Sequence, residues 1–175
     1  MRIVGLNGSL RRNSSNAALL RAAMRVAPSG VQIVLYDGTA ALPHFNPDLD
    51  AEGSEPPPAV ASLRTLLIES DGILISSPEY AHGVPGAFKN LLDWLVSTGE
   101  LVDKPVALLN ASPSGGTYAQ SSLAETLRTM NWNLLEEACL LDPFVRQRIV
   151  NELEDEQALL VLQRAIEALV RAIAH

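Results

Sequence analysis

Five times along this chain a short, almost wholly apolar run is followed by a segment whose apolar residues recur at helical spacing. The runs cover residues 2–7, 32–36, 72–77, 105–111 and 137–141, and the helical segments 15–27, 57–69, 85–97, 117–130 and 152–174. A strand with one wet face alternates apolar and polar residues. Runs such as Ile3-Val4-Gly5-Leu6 and Ile73-Leu74-Ile75 do not, which predicts strands buried on both faces, as in a parallel sheet. Strict β-α alternation then implies an α/β sandwich with a mainly parallel sheet and right-handed crossovers. In such sheets ligands bind outside the carboxyl ends of the strands, at the point where strand order reverses. The loops after strands one, three and four are therefore where chemistry is expected.

Composition agrees with one packed domain. The 175 residues are 47% hydrophobic and 19% charged, which fits a globular chain and argues against disorder. A net charge of −7 argues against a general nucleic-acid surface, so an anion site has to be built locally. The one cysteine, Cys139, lies in an apolar run and reads as a buried, inert thiol. His44, His175 and Cys139 have no metal-ligand spacing, so no metal is expected. The N-terminus lacks the zones of a signal peptide, and no apolar run reaches membrane-spanning length. The expectation is a cytoplasmic protein without nucleic-acid or membrane partners. Residues 37–58 hold five of the eleven prolines and read as a long irregular surface loop.

The loop after strand one, Gly8-Ser9-Leu10-Arg11-Arg12-Asn13-Ser14-Ser15-Asn16, is dense in hydroxyls, amides and cations and runs straight into a helix. Residues 13–15 are placed to cap that helix. Unsatisfied N–H groups at a helix start favour anions. No Walker pattern is present, and Gly5 and Gly8 lack the third glycine of a dinucleotide fingerprint. A terminal phosphate monoester suits such a loop, with a polar capped turn that binds nothing as the alternative. The loop after strand three, Pro78-Glu79-Tyr80-Ala81-His82-Gly83-Val84-Pro85, supplies an aromatic beside a carboxylate. The loop after strand four, Ser112-Pro113-Ser114-Gly115-Gly116, offers backbone that can approach a ligand closely. Each has a bland reading as a sheet-end cover or a glycine turn. One phosphate loop and two loops suited to a flat polar ring, at one sheet edge, point to a flavin mononucleotide.

These residues resemble the NADPH-dependent FMN reductase family. The likeness is carried by Gly8-Ser9-Leu10-Arg11 with Ser14 and Asn16, and by Pro78-Glu79-Tyr80 through Pro85-Gly86 to Lys89-Asn90 and Asp93-Trp94. Leu42-Pro43 and Asn46-Pro47-Asp48-Leu49 add to it, and the match spans roughly residues 1–130. The resemblance implies a single flavodoxin-like FMN-binding domain over residues 1–175: a three-layer sandwich with a five-stranded parallel sheet in the order 2-1-3-4-5. It implies that Ser9, Arg11, Ser14, Ser15 and Asn16 hold the FMN phosphate. Pro78, Glu79 and Tyr80 would border the ring and ribityl chain, and Ser112, Gly115 and Gly116 the pyrimidine side. Many relatives have Asn after the tyrosine, where this chain has Ala81 and then His82.

The implied activity is NAD(P)H-dependent reduction of a quinone-like, flavin or other small acceptor by ping-pong kinetics, in a homodimer or homotetramer. The flavin carries the chemistry, so no catalytic side chain is expected. The alternatives are a flavodoxin-like electron carrier or a flavin-binding redox sensor. Arg11-Arg12 speaks against the carrier, whose phosphate loop is typically compact and lacks paired arginines. His82 is a candidate to contact nicotinamide or protonate a reduced quinone, against the alternative of a solvent-facing residue with no role.

Overall fold

The computed structural model describes residues 1–110, 116–140 and 156–175. Its strands are β1 Arg2–Asn7, β2 Gln32–Tyr36, β3 Gly72–Ser76, β4 Pro105–Leu109 and β5 Asn133–Leu134. The helices are α1 Ser15–Val26, α2 Pro58–Ile68, α3 Gly86–Asp93, α4 Thr117–Thr129 and α5 Glu156–Ile173. All the strand pairs are parallel, in the order β2-β1-β3-β4-β5, so the expected sheet is present.

Continuous apolar strands give the sheet two dry faces. Val4, Leu6, Ile73, Ile75, Val106 and Leu108 point to one face, where α2, α3 and α4 bring Leu63, Leu67, Phe88, Leu91, Leu123 and Leu127. Ile3, Leu74, Ala107 and Leu109 point to the other, covered by Leu19, Leu20 and Ala23 of α1 and by Leu162, Ile166 and Leu169 of α5. Both ends of the predicted α5 stripe, Leu159 and Ile173, pack on the same cluster; positions 152–155 lie outside the described residues. No helix among the described residues is long and apolar enough to cross a membrane.

The fifth strand is a correction. The apolar run at 137–141 predicts it there, but Glu136–Ala138 is a 3-10 turn and the strand proper is Asn133–Leu134. The chain meets β4 twice, with Leu134 beside Val106 and Leu140 beside Leu109. Over that distance β4 advances three residues and its neighbour six, and the surplus is taken up in the turn. Two stretches of short ladder replace one continuous strand, so an apolar run alone could not locate it.

The long 37–58 loop is irregular apart from 3-10 turns at Gly38–Ala41 and Pro47–Leu49, and α3 holds it down. Asn90 Oδ1 accepts the Phe45 N–H at 2.7 Å while its Nδ2 donates to the Pro43 carbonyl at 2.9 Å. Trp94 Nε1 donates to the same carbonyl at 2.8 Å, and Phe45 meets the Trp94 ring edge-on at 5.1 Å. Arg64 of α2 bonds the Trp94 carbonyl, Ser97 and Asp50, the last at 2.7 Å. Motifs that stand far apart in the sequence, 42–49 and 89–94, are two sides of one contact.

Candidate functional site

The loops after β1, β3 and β4 leave from the carboxyl edge of three adjacent strands. In the first, Gly8 donates its N–H to the Ser76 carbonyl at 2.8 Å. A Cβ on Gly8 would stand 2.3 Å from Ser77 Oγ and 2.9 Å from Ser77 Cα, so only glycine lets the loop lie against the end of β3. Asn7 brackets Ser9, accepting its N–H at 3.1 Å and donating to its carbonyl at 2.8 Å. Buried Ser9 accepts the Arg11 N–H at 3.2 Å. Ser14 is the N-cap of α1 and accepts the N–H groups of Asn16 and Ala17. Asn16 is buried, and its Oδ1 accepts from Ser76 Oγ at 2.9 Å, tying α1 to β3.

Ser14 and Asn16 therefore shape the loop, while Leu10, Arg11, Arg12 and Asn13 are exposed on it and Ser15 is half-buried. The hydroxyls of Ser9 and Ser14 accept through their lone pairs and keep a proton to donate. No acidic residue occurs in the loop or in the first turn of α1. Hydroxyl donors, guanidinium groups and the positive end of a helix fit a phosphate monoester.

The second loop is a tight hairpin. Tyr80 and Gly83 exchange both backbone hydrogen bonds at 3.0 Å, and the two residues between them, Ala81 and His82, have φ of +49° and +59°. That geometry matches the hairpin turn in which both central residues are left-handed, where asparagine and glycine are preferred. Pro78 and Glu79 are half-buried, and Tyr80 is 54% exposed. The His82 ring stacks on Tyr118 of α4 at 4.1 Å and 17°. His82 thus has a partner that its sequence neighbourhood did not disclose.

Glu79 also reaches α4. Its Oε2 accepts the Ala119 N–H at 2.9 Å, the donor that an N-cap side chain takes in the third position of a helix. The helix's own N-cap is Gly116, buried, at φ +57° and without a side chain to cap with. Glu79 supplies the missing cap from another loop. Of the third loop, Ser112 and Gly115 lie outside the described residues and only Gly116 is placed.

Cys139 is half-buried beside β4, next to Leu140, which pairs with Leu109. Burial pushes its thiol up from the ordinary value of 9.0; the sulfur accepts the Leu108 N–H and donates to the Leu135 carbonyl. Cavities of about 420 and 530 Å³ flank it, and no described residue of the three loops lines them.

The model of a family described as NADPH-dependent FMN reductase matches residues 1–145. An NAD(P)H-dependent FMN reductase of Pseudomonas aeruginosa is 37% identical over 131 residues, covering 73% of this chain and 69% of that protein. An NADPH:quinone oxidoreductase of Arabidopsis thaliana is 37% identical over 130 residues, covering 71% and 65%. The chain thus spans about two thirds of the length of these relatives. Among solved structures, the flavoenzyme NAD(P)H:(acceptor) oxidoreductase FerB of Paracoccus denitrificans superposes with a TM-score of 0.85 at 27% identity, covering 99% of this chain and 97% of that one.

Proposed function

The chain belongs to the NADPH-dependent FMN reductase family, and from that premise we propose that it passes hydride from NADPH or NADH, through FMN, to a quinone-like, flavin or other small acceptor. When bound, the cofactor supplies the two-electron redox chemistry. The protein binds, orients and shields. Donor and acceptor occupy the same place in turn, which gives ping-pong kinetics.

Ser9, Arg11, Ser14 and Ser15 hold the phosphate, with Asn16 fixing the helix start behind them. Pro78 and Tyr80 border the ring and ribityl chain. Glu79 acts one step back, locking the Tyr80 hairpin to α4 through the Ala119 N–H. Ser112, Gly115 and Gly116 complete the pyrimidine side, where backbone N–H groups stabilise negative charge. His82 and Tyr118 form the outer aromatic wall against which donor or acceptor packs. The observation that carries this reading is the phosphate-type donor set of the 8–16 loop. It stands at the strand end next to an exposed Tyr80, with Tyr118 also 58% exposed. A homodimer or homotetramer is part of the reading, because exposed Leu10, Tyr80 and Tyr118 lie on these same loops and on α4. Light scattering on gel-filtered protein checks it.

The purified chain, mixed with FMN and gel-filtered, is expected to keep a flavin spectrum and to oxidise NADPH steadily when a quinone is added. Arg11→Ala combined with Ser9→Ala weakens FMN by about tenfold or more and leaves riboflavin nearly untouched. Equal loss of both ligands contradicts the phosphate assignment. Bound flavin without nucleotide oxidation turns the reading to an electron carrier.

A further inference from the structure

Ser76 is the one polar residue of β3, and it is fully buried. A hydroxyl cut off from water costs free energy unless its proton finds an acceptor. Here the acceptor is Asn16 Oδ1 at 2.9 Å, and among the described residues the hydroxyl has no other partner. We propose that Ser76 is a positioning residue for the FMN phosphate: its hydroxyl fixes the Asn16 amide so that Nδ2, and not Oδ1, is presented to the phosphate at the start of α1. The inference rests on the functional reading above, which puts that phosphate in the 8–16 loop, and adds a residue from outside the loop.

Ser76 stands opposite Asn7 in the β1–β3 register, beside the point where β1 gives way to the loop. Its carbonyl accepts the Gly8 N–H at 2.8 Å, and its hydroxyl donates to Asn16. One residue of β3 therefore holds the loop where it leaves the sheet and again where it enters α1. Ser9, Arg11 and Ser14 lie between those two anchors. Ends that are fixed before a ligand arrives need no ordering when it binds, and such preorganisation favours affinity.

The orientation of the amide matters as well. An asparagine side chain has one accepting end and one donating end. Asn16 is 5% exposed, yet its Nδ2 has no partner among the described residues and is not sealed from solvent. With Oδ1 on Ser76, the planar amide directs both Nδ2 protons elsewhere. Turned over, it would bring its N–H groups to Ser76 and leave the buried Ser76 proton without that acceptor. It would also set a carbonyl oxygen where the anion is to sit. A phosphate is drawn to the N–H donor and repelled by the carbonyl lone pairs. Ser76 thus makes a donor of Asn16 without touching the ligand.

Titration of the flavin-free full chain with FMN and with riboflavin, read by flavin fluorescence, tests this. The quantity compared is the ratio of the two affinities, because the ligands share ring and ribityl chain and differ in the phosphate. Ser76→Ala keeps the carbonyl bond to Gly8 and removes the hydroxyl. It is expected to lower the advantage of FMN over riboflavin about tenfold, with riboflavin binding unchanged. Asn16→Ala should lower the ratio by a similar factor, and the double variant by no more than Asn16→Ala alone, because Ser76 acts through that amide. Should Asn16→Ala not fold, the ratio in Ser76→Ala decides by itself. Equal loss of both ligands in Ser76→Ala would mean a packing role and overturns the proposal, as does an unchanged ratio or a double variant whose losses add. A parent that holds FMN no better than riboflavin overturns the phosphate reading and the proposal with it. A parent that prefers FMN, with a Ser76→Ala variant that prefers it equally, overturns the proposal alone.

Discussion

Single residues at the carboxyl edge work against local preference in ways that only their partners explain. Ala81 sits at φ +49°, a conformation that costs an L-residue about 1–2 kcal/mol and glycine almost nothing. It is held there by the reciprocal Tyr80–Gly83 bonds on either side and by the His82–Tyr118 stack. Such strain persists where surroundings over-determine it, and it gathers at functional sites. Ala81→Gly is therefore expected to raise stability by about 1 kcal/mol, or about 2–4 °C in Tm for a domain of this size. Thermal unfolding of the flavin-free chain measures it. A lower Tm would show that the backbone is not strained there. Glu79 is the complementary case. A carboxylate beside a tyrosine reads from the sequence as part of a ring-binding loop, yet its oxygen is spent on the Ala119 N–H. The reason is Gly116, which starts α4 without a side chain able to cap it.

At the scale of elements, the long 37–58 loop is tethered rather than loose. Asn90 makes two backbone bonds to it, one accepting and one donating, so Asn90→Ala leaves the Phe45 N–H and one claim on the Pro43 carbonyl unmet. The expected cost is about 1–3 kcal/mol. Amide exchange is expected to speed up first around residues 43–50, before the sheet is affected. Uniform acceleration across the chain would mean that the tether serves global stability only. The sequence displayed both partners of this contact as separate motifs. Their spacing could not show that they touch, because the loop runs from β2 to α2, meeting α3 on the way, over a stretch with no periodicity. The phosphate loop is the opposite case: Gly8, Ser9, Ser14 and Asn16 act within a few residues of each other, and the strand-loop-helix order is readable directly.

Across the whole molecule, stability comes from two dry faces of one sheet. Among the described residues, one of them is covered by α1 and α5 together with Leu135, Ala138 and Leu140, so that face depends on the last described segment of the chain. Ile166 is fully buried there. Ile166→Ala is expected to cost about 2–5 kcal/mol by leaving a cavity, read as a lower urea midpoint with an unchanged slope. A loss below 1 kcal/mol would imply that α1 and the strands close the gap. The site itself lies at the carboxyl edge, whose loops leave from β1 and β3 while the core lies behind them. Loop chemistry can thus vary there without disturbing the packing.

The sequence alone determined the β-α order, the parallel sheet and the polar character of the loop after β1. These follow from periodicity and capping within stretches of about a dozen residues, where the chemistry is local. Tertiary structure alone decided that His82 stacks on Tyr118, that Glu79 caps α4, that Asn90 holds Pro43 and Phe45, and that β5 pairs in two short pieces. Each is a contact between segments remote in sequence. No local pattern encodes which partner will arrive, and only the packing of helices on the sheet brings those side chains within hydrogen-bonding or stacking distance.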